Sequence, residues 1–227
     1  MRIEIEDKKQ FVEMFNILYP NNKISNINGI SIDSRKITKG DIFFPIKGNN
    51  YDGHEFITKS LEKGAIKSFS KNKNNNKKII TVKSIKNEIN KLAKNWLKIS
   101  KSKIIGITGS NGKTTAKNLL YHILSHKYKC NKTIGNYNSL IGFPLSFLAS
   151  KIDSKYNILE YGASRPYEIK KLCEIISPDY SLITNVSNAH IKNYNSFNQL
   201  LNTKYEIYSS TKSDGMIFIN TDQFEIK

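Results

Sequence analysis

The chain has 227 residues, 38% of them hydrophobic, and a net charge of +17 from 36 basic against 19 acidic side chains. That length allows one large or two modest domains; no apolar run approaches the roughly 18 residues of a membrane span, and "MRIEIEDKKQFVEMF" lacks the h-region of a signal peptide. Only Arg2, Arg35 and Arg165 are arginines, so bidentate readers of bases and phosphates are scarce, no nucleic acid is expected as the main ligand, and the charge suits a polyanionic small substrate.

In chain order, residues 1–100 read as a small α/β domain. "DKKQFVEMFNIL" puts Phe11, Met14, Phe15 and Leu18 at helical spacing. "GISIDS" and "DIFFPI" read as short strands, and "HEFITKSLEKG" as a helix stopped by Gly64. "KNKNNNKK" (71–78) is a solvated loop before the strand "IITV". A helix follows with Ile85, Ile89, Leu92, Ala93 and Trp96 on one stripe. "KISKS" (98–102) is the expected boundary with a second domain, 101–227.

From Lys103 the pattern becomes strand, loop, helix, repeated. The strands are "KIIGIT", "YNILE", "YSLIT" and "GMIFIN", with helices around 166–176 and 197–209. The helix after the first of these strands is expected to bury Ala116, Leu119, Leu120, Ile123 and Leu124 on one face. Such alternation implies right-handed crossovers and a mostly parallel sheet, with ligands beyond the carboxyl ends of its strands. Cys130 and Cys173, far apart and without metal-ligand spacing, read as buried small hydrophobes of a protein in a reducing cytoplasm.

The chemistry concentrates in "TGSNGKTT". Its glycine spacing is shorter than that of the common P-loop, but Gly109 and Gly112 still let the backbone approach an anion closely, with Ser110 and Asn111 between them. Backbone N–H groups and a helix N-terminus then face phosphate, Lys113 adds a mobile positive charge, and the Thr114 hydroxyl suits Mg²⁺. A glycine turn that merely links strand to helix is the plain alternative. Glu160 ends the strand "YNILE", where a carboxylate can hold Mg²⁺ or simply be solvated. His190 follows the next strand and is as readily a surface residue as a ligand. The helix opening with the capping box "SFNQ" carries Phe197, Leu200, Leu201, Lys204 and Tyr208 on its apolar stripe. Lys204 there either snorkels along the stripe or turns toward the phosphate site.

These residues resemble the Mur ligases of peptidoglycan assembly, and the resemblance spans nearly the whole chain. "SIDSRKITKGDIFFPIKGNNYDGHEFI", "GITGSNGKTT", "GNYNSLIGFPLSFL", "LEYGASRPYEI", "ITNVSNAHIKNYNS" and "LLNTKYEIY" stand in the family's order. The Gly-Ala-Ser-x-Pro-x-Glu-Ile and Asn-x-Asn blocks resemble the member that joins D-alanyl-D-alanine to UDP-N-acetylmuramoyl tripeptide. The resemblance implies an N-terminal uridine-nucleotide domain followed by a P-loop-type ATP domain. It implies that Ser34, Arg35, Lys47, Asp52, Gly53 and His54 lie near the uridine nucleotide. Gly109 through Thr115 would bind ATP, and Asn136 and Asn138 would line the junction with the muramoyl peptide. Thr114, Glu160 and His190 would hold Mg²⁺, while Lys113, Lys204 and His190 would serve catalysis. Lys204 stands where related ligases carry a carbamylated lysine. The implied reaction phosphorylates the tripeptide carboxylate with ATP, and the dipeptide amine then attacks the acyl phosphate.

The sequence departs from the family pattern at Ser139 and Leu140, and at Tyr161, where methionine is usual. The larger expected departure is length. The resemblance stops part-way through the family's central domain, and the C-terminal domain is expected to be missing, or supplied by a separate polypeptide. Three readings stay open: a ligase or the two-domain portion of one, a non-catalytic nucleotide- or UDP-sugar-binding remnant, and a P-loop kinase or nucleic-acid ATPase. The last gives no reason for the N-terminal motifs. A folate-polyglutamate-type ligase shares the ATP loop but not those motifs.

Overall fold

The computed structural model describes residues 1–48, 51–188 and 191–222. The chain divides into two compact units, Met1–Trp96 and Leu97–Lys227. Among the described residues no helix is long and apolar enough to cross a membrane.

The first unit contains β1 (Arg2–Glu4), α1 (Lys8–Leu18), β2 (Gly29–Ser31), β3 (Ile42–Phe43), α2 (Ile57–Glu62), β4 (Lys67–Ser70), β5 (Ile79–Thr81) and most of α3 (Ile85–Ile99). Its strands stand in the order β1-β2-β3-β4-β5, parallel except for the antiparallel pair β1–β2. The helical spacings do what periodicity asks of them. Phe11, Met14 and Phe15 of α1 are buried, as are Ile85, Ile89, Leu92, Ala93 and Trp96 of α3. Phe11 packs on Phe15 and Trp96, and Phe15, Tyr19, Phe44 and Phe69 continue the aromatic cluster. Gly64 ends the α2 segment at φ +100°, a conformation glycine takes without strain.

Two strands gave no apolar signal. β1 has one buried residue among three, and β4 carries Ser68 and Ser70, both buried. Their hydroxyls bond to the backbone carbonyls of Phe69 and Asn72, so serine is tolerated in the middle of a sheet.

The second unit is built from β6 (Lys103–Thr108), α4 (Lys113–Ser125), β7 (Cys130–Lys132), α5 (Gly142–Leu148), β8 (Tyr156–Glu160), α6 (Glu168–Cys173), β9 (Tyr180–Ile183), α7 (Phe197–Ser209) and β10 (Met216–Phe218). Its sheet is wholly parallel, in the order β10-β9-β6-β8-β7. The mixed α/β class with mostly parallel sheets, expected from the alternation, is therefore what the chain adopts. Because β6, β8 and β9 are parallel neighbours, the loops that follow them leave at one edge. That edge collects the glycine loop, Glu160 and the segment after β9.

Three local expectations need correction. The apolar stripe of α4 is not a buried face: Leu119 and Ile123 are 58% and 57% exposed, and Ala116, Leu120 and Leu124 only half-buried. The helix packs chiefly against β7 and β8, and the one residue it buries is Lys117. Cys130 is half-buried on the edge strand β7, whereas Cys173 is buried, its thiol pushed up to about 12 by burial. Helix α6 is shorter than its sequence segment, because Tyr167 sits at φ +65° immediately before it.

Candidate functional site

The glycine loop starts where β6 runs out. Gly109 has φ +145°, and a β-carbon there would stand 2.1 Å from the Thr184 hydroxyl oxygen. Gly112 has φ +77° and precedes the first turn of α4. Between them the loop is tied to the segment after β9. The Ser110 N–H donates to the Asn185 carbonyl (2.8 Å), and the Asn111 N–H to the Asn185 side-chain oxygen (3.0 Å). The Thr184 hydroxyl donates to the Asn111 carbonyl (2.6 Å), and Ser110 and Ser187 bond twice, hydroxyl to carbonyl and N–H to hydroxyl. Gly109→Ala is therefore expected to strain the backbone and clash at once. Strained φ alone costs about 1–3 kcal/mol, so the variant should lose loop order, read as weakened binding of an ATP analogue by calorimetry and a lower unfolding midpoint. An unchanged midpoint and affinity would contradict the close packing of Gly109 on Thr184.

Lys113 folds back over this loop. Its ammonium donates to the carbonyls of Gly109 (2.7 Å) and Ser110 (3.0 Å). Burial holds its pKa below the usual lysine value, and the nearby Glu160 carboxylate opposes that shift. Lys113 is thus a partly desolvated cation resting on carbonyls that an arriving anion can replace.

Glu160 is 2% exposed, and both its oxygens are engaged. Oε2 accepts from the Thr114 hydroxyl (3.0 Å) and lies 3.4 Å from the Lys117 ammonium; Oε1 accepts from the Asn138 amide (2.8 Å). Lys117, also 2% exposed, donates in addition to the Gly135 carbonyl (2.8 Å). The Glu160 N–H donates to the Thr133 hydroxyl. One carboxylate thereby joins the helix after the glycine loop to the segment 133–138.

Beside this network lies a cleft of about 330 Å³, lined by Lys113, Asn138, Ser139, Leu140, Gly162, Ser164, Glu168 and Lys204 among others. Ser139 and Leu140, two departures from the family pattern, face this cleft; the third, Tyr161, does not. Tyr161 is fully buried, its hydroxyl donates to the Ile176 carbonyl (2.6 Å), and its ring packs on Phe143.

Lys204 is 3% exposed on the inward stripe of α7, with Leu200, Thr203 and Ile207. Burial, helped by the charge of Lys113, pushes its pKa down to about 8. The unfolded chain therefore binds this proton at pH values where the folded chain has released it. Below about pH 8 both states are charged and folding must desolvate an ammonium; through the interval from about 8 to 10.5 that penalty fades as pH rises. The displacement is on the order of 3 kcal/mol. Lys204→Met is expected to be more stable than the parent at pH 7, with the difference closing toward pH 10, as measured by urea unfolding across that range. A difference independent of pH would contradict the buried-ammonium account.

The remaining expected residues are dispersed. Thr115 and Asn136 are exposed. His190 lies outside the described residues. In the first unit, Ser34 and Arg35 follow β2, and Lys47 and the Asp52–His54 turn follow β3, its parallel neighbour. Asp33 caps the Ser34 turn and accepts two bonds from the Arg35 guanidinium, which holds its carboxyl far below the usual range. Asp52 accepts from the His54 N–H and from Nδ1 (2.6 Å), while Nε2 accepts from the Lys71 N–H. Nδ1 therefore carries the proton. Gly53 is required, since a β-carbon would fall 2.7 Å from the Ile46 backbone.

Sequence reasoning did not single out Lys117, Thr133, Thr184, Asn185 or Ser187. Lys117 had a usable signal: it stands four residues after Lys113, on the same helix face. Thr184, Asn185 and Ser187 stand in the block "ITNVSNAHIKNYNS" without being singled out there, and Thr133 had no signal.

The pattern matches two family models: the Mur ligase family catalytic domain over residues 26–104 and the Mur ligase middle domain over 107–227. A UDP-N-acetylmuramoyl-tripeptide–D-alanyl-D-alanine ligase of Bacillus subtilis is 34% identical over 201 residues, 87% of this chain and 44% of that protein. Among solved structures, the MurF ligase of Thermotoga maritima, in complex with ADP, is 35% identical with a TM-score of 0.78, over 83% of this chain and 44% of that one. MurF of Acinetobacter baumannii, at 24% identity, shares the fold with a TM-score of 0.86 over 99% of this chain and 50% of its own. The chain thus spans about half the length or less of these relatives.

Proposed function

Because this chain belongs to the Mur ligase family, we propose that it is the nucleotide-handling portion of an ATP-dependent peptide ligase in peptidoglycan precursor synthesis. The substrates in this reading are UDP-N-acetylmuramoyl tripeptide and D-alanyl-D-alanine, and the compartment is the cytoplasm. The observation that carries it is the convergence of Lys113, Thr114 and Glu160 at one edge of the parallel sheet, beside a cleft that Lys204 also lines.

In this reading each residue answers one electrostatic problem, the meeting of a carboxylate and a triphosphate. The loop amides from Gly109 to Gly112 and the N-terminus of α4 would bind the outer phosphates. Lys113 would leave its two carbonyls and neutralise the transferring group. Thr114 and Glu160 fit Mg²⁺, since a hydroxyl and a carboxylate oxygen 3.0 Å apart form the hard oxygen donor set that ion prefers. When bound, Mg²⁺ would supply further charge neutralisation at the phosphates. Asn138, bonded to Glu160 and facing the cleft, would orient the tripeptide carboxylate. Lys204 would serve the same cleft, and His190, outside the described residues, keeps the metal and catalytic role that the family resemblance implies. Residues 1–100 form the UDP-sugar domain in this proposal, with Ser34, Arg35, Lys47, Asp52, Gly53 and His54 at the uridine nucleotide, and 101–227 the ATP domain.

A second reading is a non-catalytic nucleotide- or UDP-sugar-binding remnant, or one half of a split ligase. Calorimetry with an ATP analogue and with UDP-muramoyl tripeptide tests the binding common to both. Phosphate release dependent on D-alanyl-D-alanine, with and without an added second half from such a relative, separates them. Absence of ATP-analogue binding would defeat both.

A further inference from the structure

One buried polar group of the second unit has no part in the network around Glu160. Tyr194 follows the short turn Ile191–Asn193 that leads into α7, and its N–H donates to the Ile191 carbonyl (2.9 Å). The residue is 8% exposed, and its hydroxyl is buried with no hydrogen-bond partner among the described residues. An unpaired buried hydroxyl is a cost to the fold, and native structures rarely bear one without a use. Phenylalanine would fill the same space without that cost.

The surroundings of this hydroxyl are acidic. Burial first, then the carboxylates of Glu168 and Glu206, push its pKa up to about 12, so it is a neutral phenol at pH 7. Glu206 is committed to the start of α6: Oε1 accepts from the Tyr167 N–H (3.1 Å) and Oε2 from the Lys170 N–H (2.8 Å). Glu168 is only half committed. Its Oε2 accepts from the Ser164 N–H (2.7 Å) and the Arg165 N–H (3.1 Å), while Oε1 accepts no bond among the described residues. Those two N–H groups hold Glu168 on the wall of the cleft. The cleft therefore presents both signs of charge, Lys113 and Lys204 against Glu168.

Chemistry narrows what can complete this corner. An anionic group would be repelled by Glu168 and Glu206, and an apolar group would leave the Tyr194 hydroxyl unpaired. A primary ammonium has three N–H donors and no acceptor, so it can serve a carboxylate oxygen and a phenol oxygen together. The chain's own ammonium does not do so: Lys204 feels both carboxylates but forms no ion pair with either among the described residues. We propose that Tyr194 and Glu168 form a subsite for a primary ammonium group of the substrate, at the α6 side of the cleft. The subsite rests on the ligase reading, in which such a group is the amine of D-alanyl-D-alanine or a side-chain amine on the third residue of the tripeptide.

The test is calorimetry on the whole chain with three probes. They are UDP-muramoyl tripeptide ending in lysine, the same compound with the lysine side chain acetylated, and D-alanyl-D-alanine added to the chain already holding tripeptide and an ATP analogue. Tyr194→Phe and Glu168→Gln should each weaken an amine-bearing probe about tenfold or more, with ATP-analogue affinity unchanged. Glutamine keeps a carbonyl oxygen for the Ser164 and Arg165 N–H groups, so both variants are expected to fold. A loss seen with the free lysine but not the acetylated one assigns the subsite to the third residue, and a loss confined to the dipeptide assigns it to the attacking amine. Tyr194→Phe should also unfold in urea at the parent midpoint or above it, because it removes an unpaired hydroxyl; a hydroxyl held by a structural partner would lower it. A lower midpoint, an equal loss on both tripeptides, or either variant binding every amine-bearing probe as tightly as the parent would overturn the proposal. In those cases a parent chain that binds tripeptide and ATP analogue leaves the ligase reading standing, whereas a parent that binds neither ends that reading and the subsite with it.

Discussion

Lys113→Ala is expected to lower nucleotide turnover roughly 10²–10³-fold, as for the loss of one preorganised donor to developing charge. Turnover here means phosphate release measured with a second half supplied. The structure sharpens the expectation beyond loop homology. The ammonium already sits on the loop, bonded to the Gly109 and Ser110 carbonyls, and burial makes its charge costly until an anion arrives. Its gain on meeting phosphate therefore exceeds that of a solvated lysine. The loop itself should survive the substitution. Its anchors are Thr184, Asn185 and Ser187, and none of them uses the Lys113 side chain. A small change in unfolding midpoint with a large loss of turnover is the signature. Lys113→Arg should rescue poorly, because a planar guanidinium does not fit the point-charge geometry of two converging carbonyls. Turnover equal to the parent in Lys113→Ala would remove the proposed role.

The same residues show what could be read in advance. The glycine loop was legible because its physics is local: a strand, two glycines, a lysine and a helix start within twelve residues. Lys204 was legible for the opposite reason, as a cation on an otherwise apolar stripe, and its burial on α7 bears out that placement. The misses also have physical causes. A buried face for α4 was inferred from spacing, but spacing says only that Leu119 and Ile123 share a side. Whether anything covers that side depends on which strands the helix crosses. β1 and β4 were invisible because each carries one apolar residue between polar ones, Ile3 and Phe69, too few for a strand signal, while neighbouring strands and buried serine hydroxyl bonds satisfy the rest. The loop's anchors come from more than seventy residues away, a separation at which single-sequence patterns carry no register.

Lys117→Met should be the most destabilising single change at this site, because it leaves the Glu160 carboxylate buried without its cation. Breaking a buried ion pair from one side costs about 3–5 kcal/mol. The Thr114 hydroxyl and Asn138 amide remain as donors to Glu160, which places this variant at the lower end. Glu160→Gln strands the opposite partner, leaving the Lys117 ammonium with only the Gly135 carbonyl among the described residues. The double variant, with both charges gone, should be more stable than the sum of the single changes implies, as urea unfolding can measure. Mg²⁺ then discriminates a structural pair from one that shares its carboxylate with a metal. In Lys117→Met a divalent cation can take the vacated place beside Glu160, so Mg²⁺ with an ATP analogue should recover more stability in this variant than in the parent, by linkage. In Glu160→Gln the same addition should recover little. Equal Mg²⁺ stabilisation in the parent and both variants would mean that Glu160 serves Lys117 alone, and the metal role proposed for it would fall.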